Sequence, residues 1–424
     1  MPTASPSPLR PLRPLVTGCL AALAAPFLVL AAMAARLFRR PQGAKPRTVW
    51  GPIPNLGIIY MSRALAGAGY PSESWVYAGD PLVGAERFDR AFQLFPGSNL
   101  VSRHFNAYCC FLTVLFRFDL AMFWLAGGFL LETPWIFGEM RLLRLAGIKT
   151  VFMPFGSDIA IAEYLGPVRE KSLIYDPSLP ARAEAVRRKV DFFCRHGDFI
   201  IRNVTTGYVP RCDAFIPNVL AIDIEPPPPY EEGPELVVLH ASNHRLLKGT
   251  NEVIAAVEDL RAEGLPVRLQ LIEKQPNHVV RAALRACDIV ADQFVYGYAM
   301  FGIEGMAAGK PVMTHLRWMY PEVIAATCYG ECPALETGVA DIKDNLRRLV
   351  LDPALRRRLG QASLAYARKY HSFDAVGAIY AAVVEHVWNG RPLPAGLKPI
   401  RTNAPFNLHY PLATPSPVRE TALA

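Results

Sequence analysis

The 424-residue sequence has little charge and no CxxC pair among its cysteines. Only 19% of its residues are charged and 51% are hydrophobic, which excludes an intrinsically disordered chain. The eight cysteines have neither the spacing of a zinc cluster nor that of a disulfide framework. At about 100–200 residues per domain, the length predicts two domains.

Acidic residues are absent from the first 47 positions, whereas seven Lys and Arg residues occur there. This segment therefore carries +7 of the formal net charge of +8, and the rest of the chain is almost neutral. A nucleic-acid-binding protein would need a basic surface on its folded body. We therefore expect no nucleic-acid partner.

A charge-free run of 21 residues, 15–35, lies inside this basic segment. Its length matches the roughly 20 residues that cross the hydrocarbon core of a bilayer. A signal peptide is the alternative, but its apolar core usually has only about 7–15 residues. Two Arg precede the run and five Lys and Arg follow it by position 47. The positive-inside rule then predicts a single-pass inner-membrane anchor, with the large C-terminal part in the cytoplasm.

Proline marks the borders of the predicted domains. Four successive prolines at 226–229 favour a stiff polyproline spacer and predict a linker over 224–234. Both ends of the chain are rich in proline and are expected to be disordered. The predicted segments are a tail (1–14), the anchor (15–35), a first domain (48–223), the linker, a second domain (235–388) and a Pro-rich tail (389–424).

Short apolar runs alternate with helical patterns on both sides of the linker. Strands are predicted at 73–78, 120–124, 150–154, 199–202, 235–241, 267–273, 289–291 and 312–315. This alternation predicts an α/β protein with two parallel sheets covered by helices. The apolar block 108–131 contains Arg117 and Asp119, so it is interpreted as a buried strand with its neighbours, not as a second membrane span.

Parallel sheets bind ligands at the carboxyl ends of their strands, and the first candidate loop follows strand 235–241. In this loop Arg245 and Lys248 lie three residues apart, beside the N-terminus of a helix. Two cations and free helix N–H groups suit a diphosphate. The simpler alternative is a polar loop in which Thr250 caps the helix.

The second candidate loop, 292–301, is aromatic and glycine-rich and leads into a helix predicted over 302–309. Glu304 lies in the predicted first turn, where it could only favour the helix dipole or could accept hydrogen bonds from a ribose diol. The amides of Gly302 and Ile303 are expected to face a phosphate. Gly309 is predicted to cap the helix, because the spacing does not fit a phosphate-binding P-loop.

These residues resemble the donor half of the family 4 glycosyltransferases, which have the GT-B fold. The similar segments are Arg245–Thr250, Phe301–Val312, Asp352–Gly360 and Tyr370–Phe373, and the similarity is weaker at 51–55, 156–158 and 216–218. The resemblance implies two Rossmann-like domains that face a cleft, here preceded by one transmembrane helix.

The resemblance also implies a retaining glycosyltransferase. Such an enzyme would move a sugar from a nucleotide-diphosphate-sugar, its co-substrate, to a cell-surface glycan or a lipid-linked acceptor. It would use no metal and no other cofactor, and the sequence has no D-x-D pair. Arg245 and Lys248 would be the catalytic residues that hold the departing diphosphate. The donor-binding residues would be Gly51, Asn243, Gly249, Phe301, Gly302, Ile303 and Glu304, and the acceptor side would contain Gly156, Ser157 and Asp158.

Two positions depart from the family pattern. The first acid of the family's E-x7-E pair falls on Tyr296, and the His that often precedes Gly-Ser-Asp is Phe155. The missing acid leaves a catalytically silent GT-B-like scaffold in glycan assembly as an alternative function. A nucleotide-sugar epimerase of the same fold is another alternative, which the anchor disfavours because such enzymes are usually soluble.

Overall fold

The computed structural model describes residues 13–77, 84–95, 99–203, 206–220, 233–319, 321–397 and 399. Most of the predicted linker 224–234 and most of both predicted tails lie outside these residues. Within them, Pro14–Phe38 is a helical stretch long and apolar enough to cross a membrane. All eight cysteines are free.

A seven-stranded sheet forms the first domain. Its strands are β1 (Thr48–Gly51), β2 (Ser72–Val76), β3 (Arg90–Ala91), β4 (Leu120–Trp124), β5 (Lys149–Met153), β6 (Phe199–Arg202) and β7 (Ala214–Phe215). They lie in the order β3-β2-β1-β4-β5-β6-β7, and every neighbouring pair is parallel. All residues of β1 and β4 are buried, because helices cover both faces, as an all-parallel sheet requires.

The described residues of the first half of the chain form the helices α1 (Arg13–Ala35), α2 (Leu56–Gly67), α3 (Leu100–Arg117), α4 (Glu139–Leu145), α5 (Arg169–Tyr175) and α6 (Leu179–His196). Asparagine side chains cap two of them. Asn55 accepts a hydrogen bond from the Gly57 amide at 2.7 Å, and Asn99 accepts one from the Ser102 amide at 2.9 Å. Such caps satisfy N–H groups that have no partner inside a helix.

The apolar block 108–131 contains the buried strand that the sequence predicts at 120–124. Only its central part is a strand, β4, while residues 108–117 complete α3. The block was ambiguous because buried helices and buried strands are equally apolar over short runs. Phe111 and Val114 of α3 are fully buried, and Asp119 pairs with Arg47 at 2.8 Å, so this charge has a partner inside the fold.

A five-stranded parallel sheet forms the second domain. Its strands are β8 (Leu236–Ser242), β9 (Val267–Glu273), β10 (Ile289–Ala291), β11 (Val312–Thr314) and β12 (Leu335–Glu336), in the order β12-β11-β10-β8-β9. The bounds of β9 and β10 are those that the sequence predicts. The structure thus confirms two Rossmann-like parallel-sheet domains in an α/β chain.

The helices in the described part of the second half are α7 (Arg245–Lys248), α8 (Thr250–Ala262), α9 (Asn277–Ala286), α10 (Met300–Ala307), α11 (Pro321–Ala326), α12 (Ile342–Leu351), α13 (Pro353–His371) and α14 (Phe373–Asn389). Helix α10 begins two residues earlier than predicted. It ends as predicted, because Gly309 takes a left-handed φ of 69° and donates its N–H to Met306 O at 3.0 Å.

Helix α14 packs on the first domain, although most of its residues fall within the predicted second domain, 235–388. Its buried face meets α2 and β1, where the rings of Trp50 and Tyr380 lie 5.1 Å apart. The Tyr70 hydroxyl also donates to Glu385 Oε1 at 2.7 Å. The position of α14 in the sequence does not reveal that it packs on the first domain, because its apolar stripe would fit either sheet.

A second connection joins the domains near residue 220. The Leu220 amide donates to His371 O at 2.8 Å, and His371 Nδ1 lies 2.7 Å from Asn218 O. Burial lowers the pKa of His371 to about 4, so its ring is neutral at pH 7. Because a carbonyl only accepts, Nδ1 is the donor and Nε2 accepts from the Tyr298 hydroxyl at 3.1 Å.

Gly377→Ala tests the packing of α14 on α2. A Cβ at position 377 would lie 2.3 Å from Ala64 O, so the two helices must separate to accept it. We expect the free energy of unfolding to fall by roughly 1–3 kcal/mol, even though alanine is the better helix former. Urea denaturation measures this change.

Gly67→Ala is the matched control, because this glycine ends α2 and a Cβ there would meet nothing within 4 Å. It should be neutral or slightly stabilising. Equal effects of the two substitutions would contradict close packing at Gly377.

Candidate functional site

The two candidate loops lie at the same edge of the second sheet. Strands β8 and β10 are parallel neighbours, so the residues that follow them come together at their carboxyl ends. The first loop includes α7 and the left-handed Gly249, after which α8 begins. The second loop runs from Asp292 to Ala299 and leads into α10.

His240 holds the base of both loops. Burial lowers its pKa to about 4, so the ring is neutral. Its Nδ1 lies 2.7 Å from Ala291 O and therefore donates, while Nε2 accepts from the Thr250 hydroxyl at 2.8 Å. The simpler alternative, in which Thr250 caps the helix, is therefore wrong: Thr250 is the first residue of α8, and its hydroxyl bonds to His240 instead.

Lys248 reaches from the first loop to the second. Its ammonium group donates to Ala241 O at 3.2 Å and lies 3.8 Å from Asp292 Oδ1. It also lies 5.7 Å from the centre of the Phe301 ring. The side chain is only 17% exposed, so its position is set by packing as well as by charge.

Arg245 is held elsewhere. Its guanidinium group makes a bidentate ion pair with Glu273, with N–O distances of 2.7 and 2.6 Å, at the end of β9. The two cations predicted to clamp a diphosphate therefore have different protein partners. Arg245 would have to leave Glu273 before it could hold a phosphate.

Asp292 is a fully buried carboxylate of the site and was not among the predicted site residues. Its Oδ2 accepts from the Ala299 amide at 2.9 Å, and a Cβ on Gly302 would lie 2.5 Å from this oxygen. Burial raises the pKa of Asp292 to about 6, although Lys248 and the amides of Ala299 and Gly302 oppose the shift. Glycine at 302 is therefore required for the carboxylate to reach the start of α10.

The amides of Gly302 and Ile303 were expected to face a phosphate, but both already have hydrogen-bond partners within the protein. The Gly302 amide serves Asp292, and the Ile303 amide donates to Ala299 O at 3.2 Å. The difference follows from the earlier start of α10, which places both residues within its first turn. The ring of Phe301 and the side chain of Ile303 are buried.

Glu304 lies in the second turn of α10, not in the first as predicted. It is buried, and its Oε1 accepts from Asn277 Nδ2 at 2.7 Å. Burial raises the pKa of Glu304, while Asn277 and the charge of Arg281 lower it. A buried carboxylate beyond the first turn gains little from the helix dipole, so the dipole alone does not explain it.

A cavity of about 400 Å³ opens beside the first loop. It is lined by Tyr175, Asn243, His244, Arg245, Leu246, Glu273 and Lys274. Tyr175 belongs to α5 of the first domain, and its ring lies 4.6 Å from that of His244. The cavity therefore lies between the two domains, and two of the predicted residues, Asn243 and Arg245, line it.

The predicted residues of the first domain lie at the carboxyl edge of its sheet. Gly51 ends β1, where a Cβ would lie 2.1 Å from Trp75 O and no side chain fits. Asp158 is buried, and its Oδ1 accepts from the amides of Phe155 and Gly156 at 3.1 and 3.0 Å. Burial raises its pKa to about 6. Asp158 therefore shapes its own loop, while Ser157 is exposed.

Asp292 and Asn277 belong to the site but were not among the predicted site residues. Asp292 directly follows the apolar strand β10, and this position at a carboxyl edge is a usable signal. Asn277 lies 27 residues before Glu304, at the start of α9, and no spacing rule connects the two. In the described part of the chain, no group of three or more His, Cys, Asp or Glu side chains could hold a metal ion.

No family model matches the chain. The MMP alpha-(1->4)-mannosyltransferase of Mycolicibacterium hassiacum is 28% identical over 177 residues, which covers 35% of this chain and 42% of that protein. The chain thus spans less than half the length of this curated relative.

Two solved structures resemble the fold over most of the chain. HepE from Anabaena, in complex with UDP-glucose, has a TM-score of 0.52 at 13% identity and covers 80% of this chain and 99% of its own. A glycosyltransferase from Rickettsia africae has a TM-score of 0.53 at 10% identity and covers 82% and 100%. These likenesses confirm the GT-B fold, while membership of family 4 stays a prediction.

Asp292→Asn tests how the buried carboxylate affects stability. The folded-state pKa of about 6 lies above the usual 3.8, so the parent takes up a proton on folding and loses stability as pH rises from about 4 to about 6. About two pKa units correspond to roughly 3 kcal/mol. The variant lacks this loss, so its stability relative to the parent should increase over this range and stay constant above it.

Urea denaturation at pH 4, 5, 6 and 7 measures the difference. Asp344→Asn is the control, because this aspartate is highly exposed on α12 and its removal should leave the pH slope unchanged. Parallel pH profiles of parent and Asp292→Asn would show that the carboxylate ionises normally.

Proposed function

We propose that this chain, which has the GT-B fold, is a retaining glycosyltransferase that uses a nucleotide-diphosphate-sugar as its donor. The observation that carries the proposal is the cluster of Lys248, Asp292 and Glu304 at the carboxyl edge of the second sheet. Lys248 lies 3.8 Å from Asp292 Oδ1, and Asp292 accepts from the Ala299 amide at the start of α10, the helix that contains Glu304. The mannosyltransferase relative and the UDP-glucose complex of HepE support the same class of donor.

Lys248 would stabilise the leaving diphosphate. Its ammonium group is already fixed near the start of α10, so it needs little reorganisation as negative charge develops on the departing phosphate. Arg245 would join it from the neighbouring cavity by exchanging Glu273 for a phosphate. These two cations would stabilise the negative charge of the diphosphate in place of a metal ion, so no metal or other cofactor is proposed.

Glu304 would bind the ribose of the donor. Its carboxylate is oriented by Asn277 and can accept from two hydroxyl groups, whereas a helix-dipole role does not require burial. Gly51, Asn243, Gly249 and Phe301 would complete the donor site, whereas the amides of Gly302 and Ile303 have partners within the protein. The loop of Gly156, Ser157 and Asp158 would face the acceptor from the first domain.

The acceptor is proposed to be a cell-surface glycan or a lipid-linked sugar at the inner membrane. The apolar helix α1 would keep the enzyme at that surface, with the catalytic domains on the cytoplasmic side, where nucleotide-sugars are made. Membrane attachment raises the local concentration of a lipid-linked acceptor.

A catalytically silent scaffold in glycan assembly is the second candidate. Tyr296 favours this function, because it stands where the family has an acid. Its phenol stays neutral, since burial and the charge of Asp292 raise the pKa of Tyr296 to about 12. The ion pair of Arg245 with Glu273 also leaves one predicted phosphate ligand engaged. Measured sugar transfer separates the two functions.

Lys248→Met tests the diphosphate contact. A charge-assisted hydrogen bond contributes about 1.5–3 kcal/mol, so we expect affinity for UDP or GDP to fall at least tenfold, with little change for uridine or guanosine. Arg245→Gln should have a smaller effect, because Glu273 competes for the guanidinium group. Isothermal titration calorimetry measures the affinity of each variant for all four ligands.

Lys343→Met is the control, because Lys343 is on α12 and pairs with Asp259 and Glu263 outside the site. It should bind all ligands like the parent. Equal losses for nucleosides and diphosphates in Lys248→Met would show that Lys248 does not contact phosphate.

Glu304→Gln tests the ribose contact. The amide keeps one acceptor and replaces the other by a donor, so the ribose binds poorly and the donor is out of line for transfer. We expect normal folding, because burial already favours the uncharged form, and loss of most sugar transfer. A 2′-deoxy donor should be less affected by the substitution than a ribose donor.

Glu322→Gln on the exposed side of α11 is the matched control and should transfer sugar like the parent. Sugar transfer at the parent rate by a well-folded Glu304→Gln protein would exclude the ribose role. Absence of transfer in the parent with any donor would favour the scaffold.

A further inference from the structure

Helix α1 lies along the first domain and does not project from it. Its buried residues are Ala21, Leu28, Ala32 and Ala35, which share one face at helical spacing. Three of the four are alanines, so the helix can approach its neighbours α3 and α4 closely. The Trp135 indole N–H, just before α4, donates to Ala21 O at 3.0 Å.

The C-terminal end of α1 is fixed by a buried carboxylate. Asp119, which precedes β4, lies 3.6 Å from Arg39 and 2.8 Å from Arg47. Burial opposes its ionisation, but hydrogen bonds from Arg47 outweigh this and hold the pKa of Asp119 below its usual value. The Arg39 guanidinium also donates to the carbonyls of Leu115 and Phe118. The helix therefore leaves the domain at a fixed point.

This packing does not suit a helix that crosses a bilayer. The hydrocarbon core is about 30 Å thick, and a helix rises about 1.5 Å per residue. In the described part of the chain, residues 13–20 of α1 extend beyond the contact at Ala21, which is about 12 Å of helix. A crossing α1 would therefore take α3 and its exposed ion pair, Arg103 with Glu132 at 2.6 Å, into the hydrocarbon.

The outward side of α1 is continuous with an apolar stripe on α3. The stripe consists of Val101, Phe105, Leu112 and Phe116. The Phe116 ring lies 5.7 Å from that of Phe38, directly after α1, and the Phe105 ring lies 5.6 Å from that of Phe95. On α1 itself the large apolar residues Leu15, Leu23, Phe27, Leu30 and Met33 are exposed.

Charge around this face favours a lipid surface over a second copy of the chain. No acid occurs in residues 1–47, and α1 is followed by the exposed Arg36. The exposed Arg141 and Arg144 of α4 lie on the helix that packs beside α1. An apolar helical face bordered by arginine is typical of binding in the plane of an anionic membrane.

We propose that α1 lies in the plane of the membrane and that, together with the α3 stripe, it inserts into one leaflet. The N-terminus and the two domains are then on the same side of the bilayer, and the first domain sits directly on the lipid. This arrangement rests on the proposed attachment through residues 15–35, but it does not depend on sugar transfer. It competes with the single-pass topology that the length of the run predicts.

The first experiment determines the side of the N-terminus. Two variants are made in a full-length Cys19→Ser parent. Ser7→Cys reports the side of the N-terminus, and Lys343→Cys reports the side of the folded domains. Inverted inner-membrane vesicles expose the cytoplasmic side and are treated with a membrane-impermeant maleimide. Both positions should be labelled without detergent. Labelling of position 7 only after detergent would establish a crossing helix and overturn the proposal.

The second experiment tests the α3 stripe. Phe105→Glu should lower partitioning of the full chain into phosphatidylcholine vesicles with 30% phosphatidylglycerol by roughly tenfold, since one phenylalanine side chain is lost from the lipid contact. Leu351→Glu is the control, because Leu351 is 66% exposed on α12 and should not affect partitioning. Thermal unfolding checks that both variants are folded.

Two outcomes of this second experiment would overturn the lipid assignment. One is parental partitioning of Phe105→Glu with self-association also unchanged, which would show that the stripe contacts neither lipid nor a second copy. The other is parental partitioning together with loss of self-association in sedimentation, which would identify a second copy as the occupant. Neither readout uses sugar transfer, so failure here would leave the proposed glycosyltransferase function standing.

Discussion

The carboxylate of Asp292 organises the candidate site, because it is a charge without access to water. It can stay ionised only if donors surround it, and the structure provides the amides of Ala299 and Gly302 and the ammonium group of Lys248. Because the carboxylate must be surrounded by donors, it fixes the start of α10 and the position of Lys248. It also explains why residue 302 is a glycine, since any Cβ would occupy the space of the carboxylate oxygen.

The same carboxylate has a consequence for ligand binding. A diphosphate placed near Lys248 would bring negative charge close to Asp292, whose pKa is already raised by burial to about 6. The two anions would compete for one ammonium group and for the amides of α10. Binding of a diphosphate therefore requires either that its oxygens replace Asp292 at these groups or that the Asp292 carboxylate is protonated. In the absence of a nucleotide-sugar, Asp292 itself keeps Lys248 and the start of α10 in place.

The relative position of the two sheets depends on elements that cross between them. Helix α14 follows the second domain in sequence but packs on β1 and α2 of the first, with Gly377 against the backbone of Ala64. Asn218 and His371 form the other connection. Since the interdomain cavity includes Tyr175 from the first domain, its shape depends on these distant contacts as well as on its own lining.

Periodicity and local chemistry in the sequence were sufficient for several features. The parallel α/β architecture, the bounds of β9 and β10 and the glycine end of α10 follow from apolar runs, helical spacing and the left-handed conformation that Gly309 allows. The candidate loops were also found, because the carboxyl ends of strands can be located from the strands alone. Tertiary structure decided the partners: Asp292 for Lys248, Glu273 for Arg245, Asn277 for Glu304 and the first domain for both α1 and α14. Each of these pairs of residues is separated by 27 or more positions in the sequence, and no local pattern encodes a contact over such a distance.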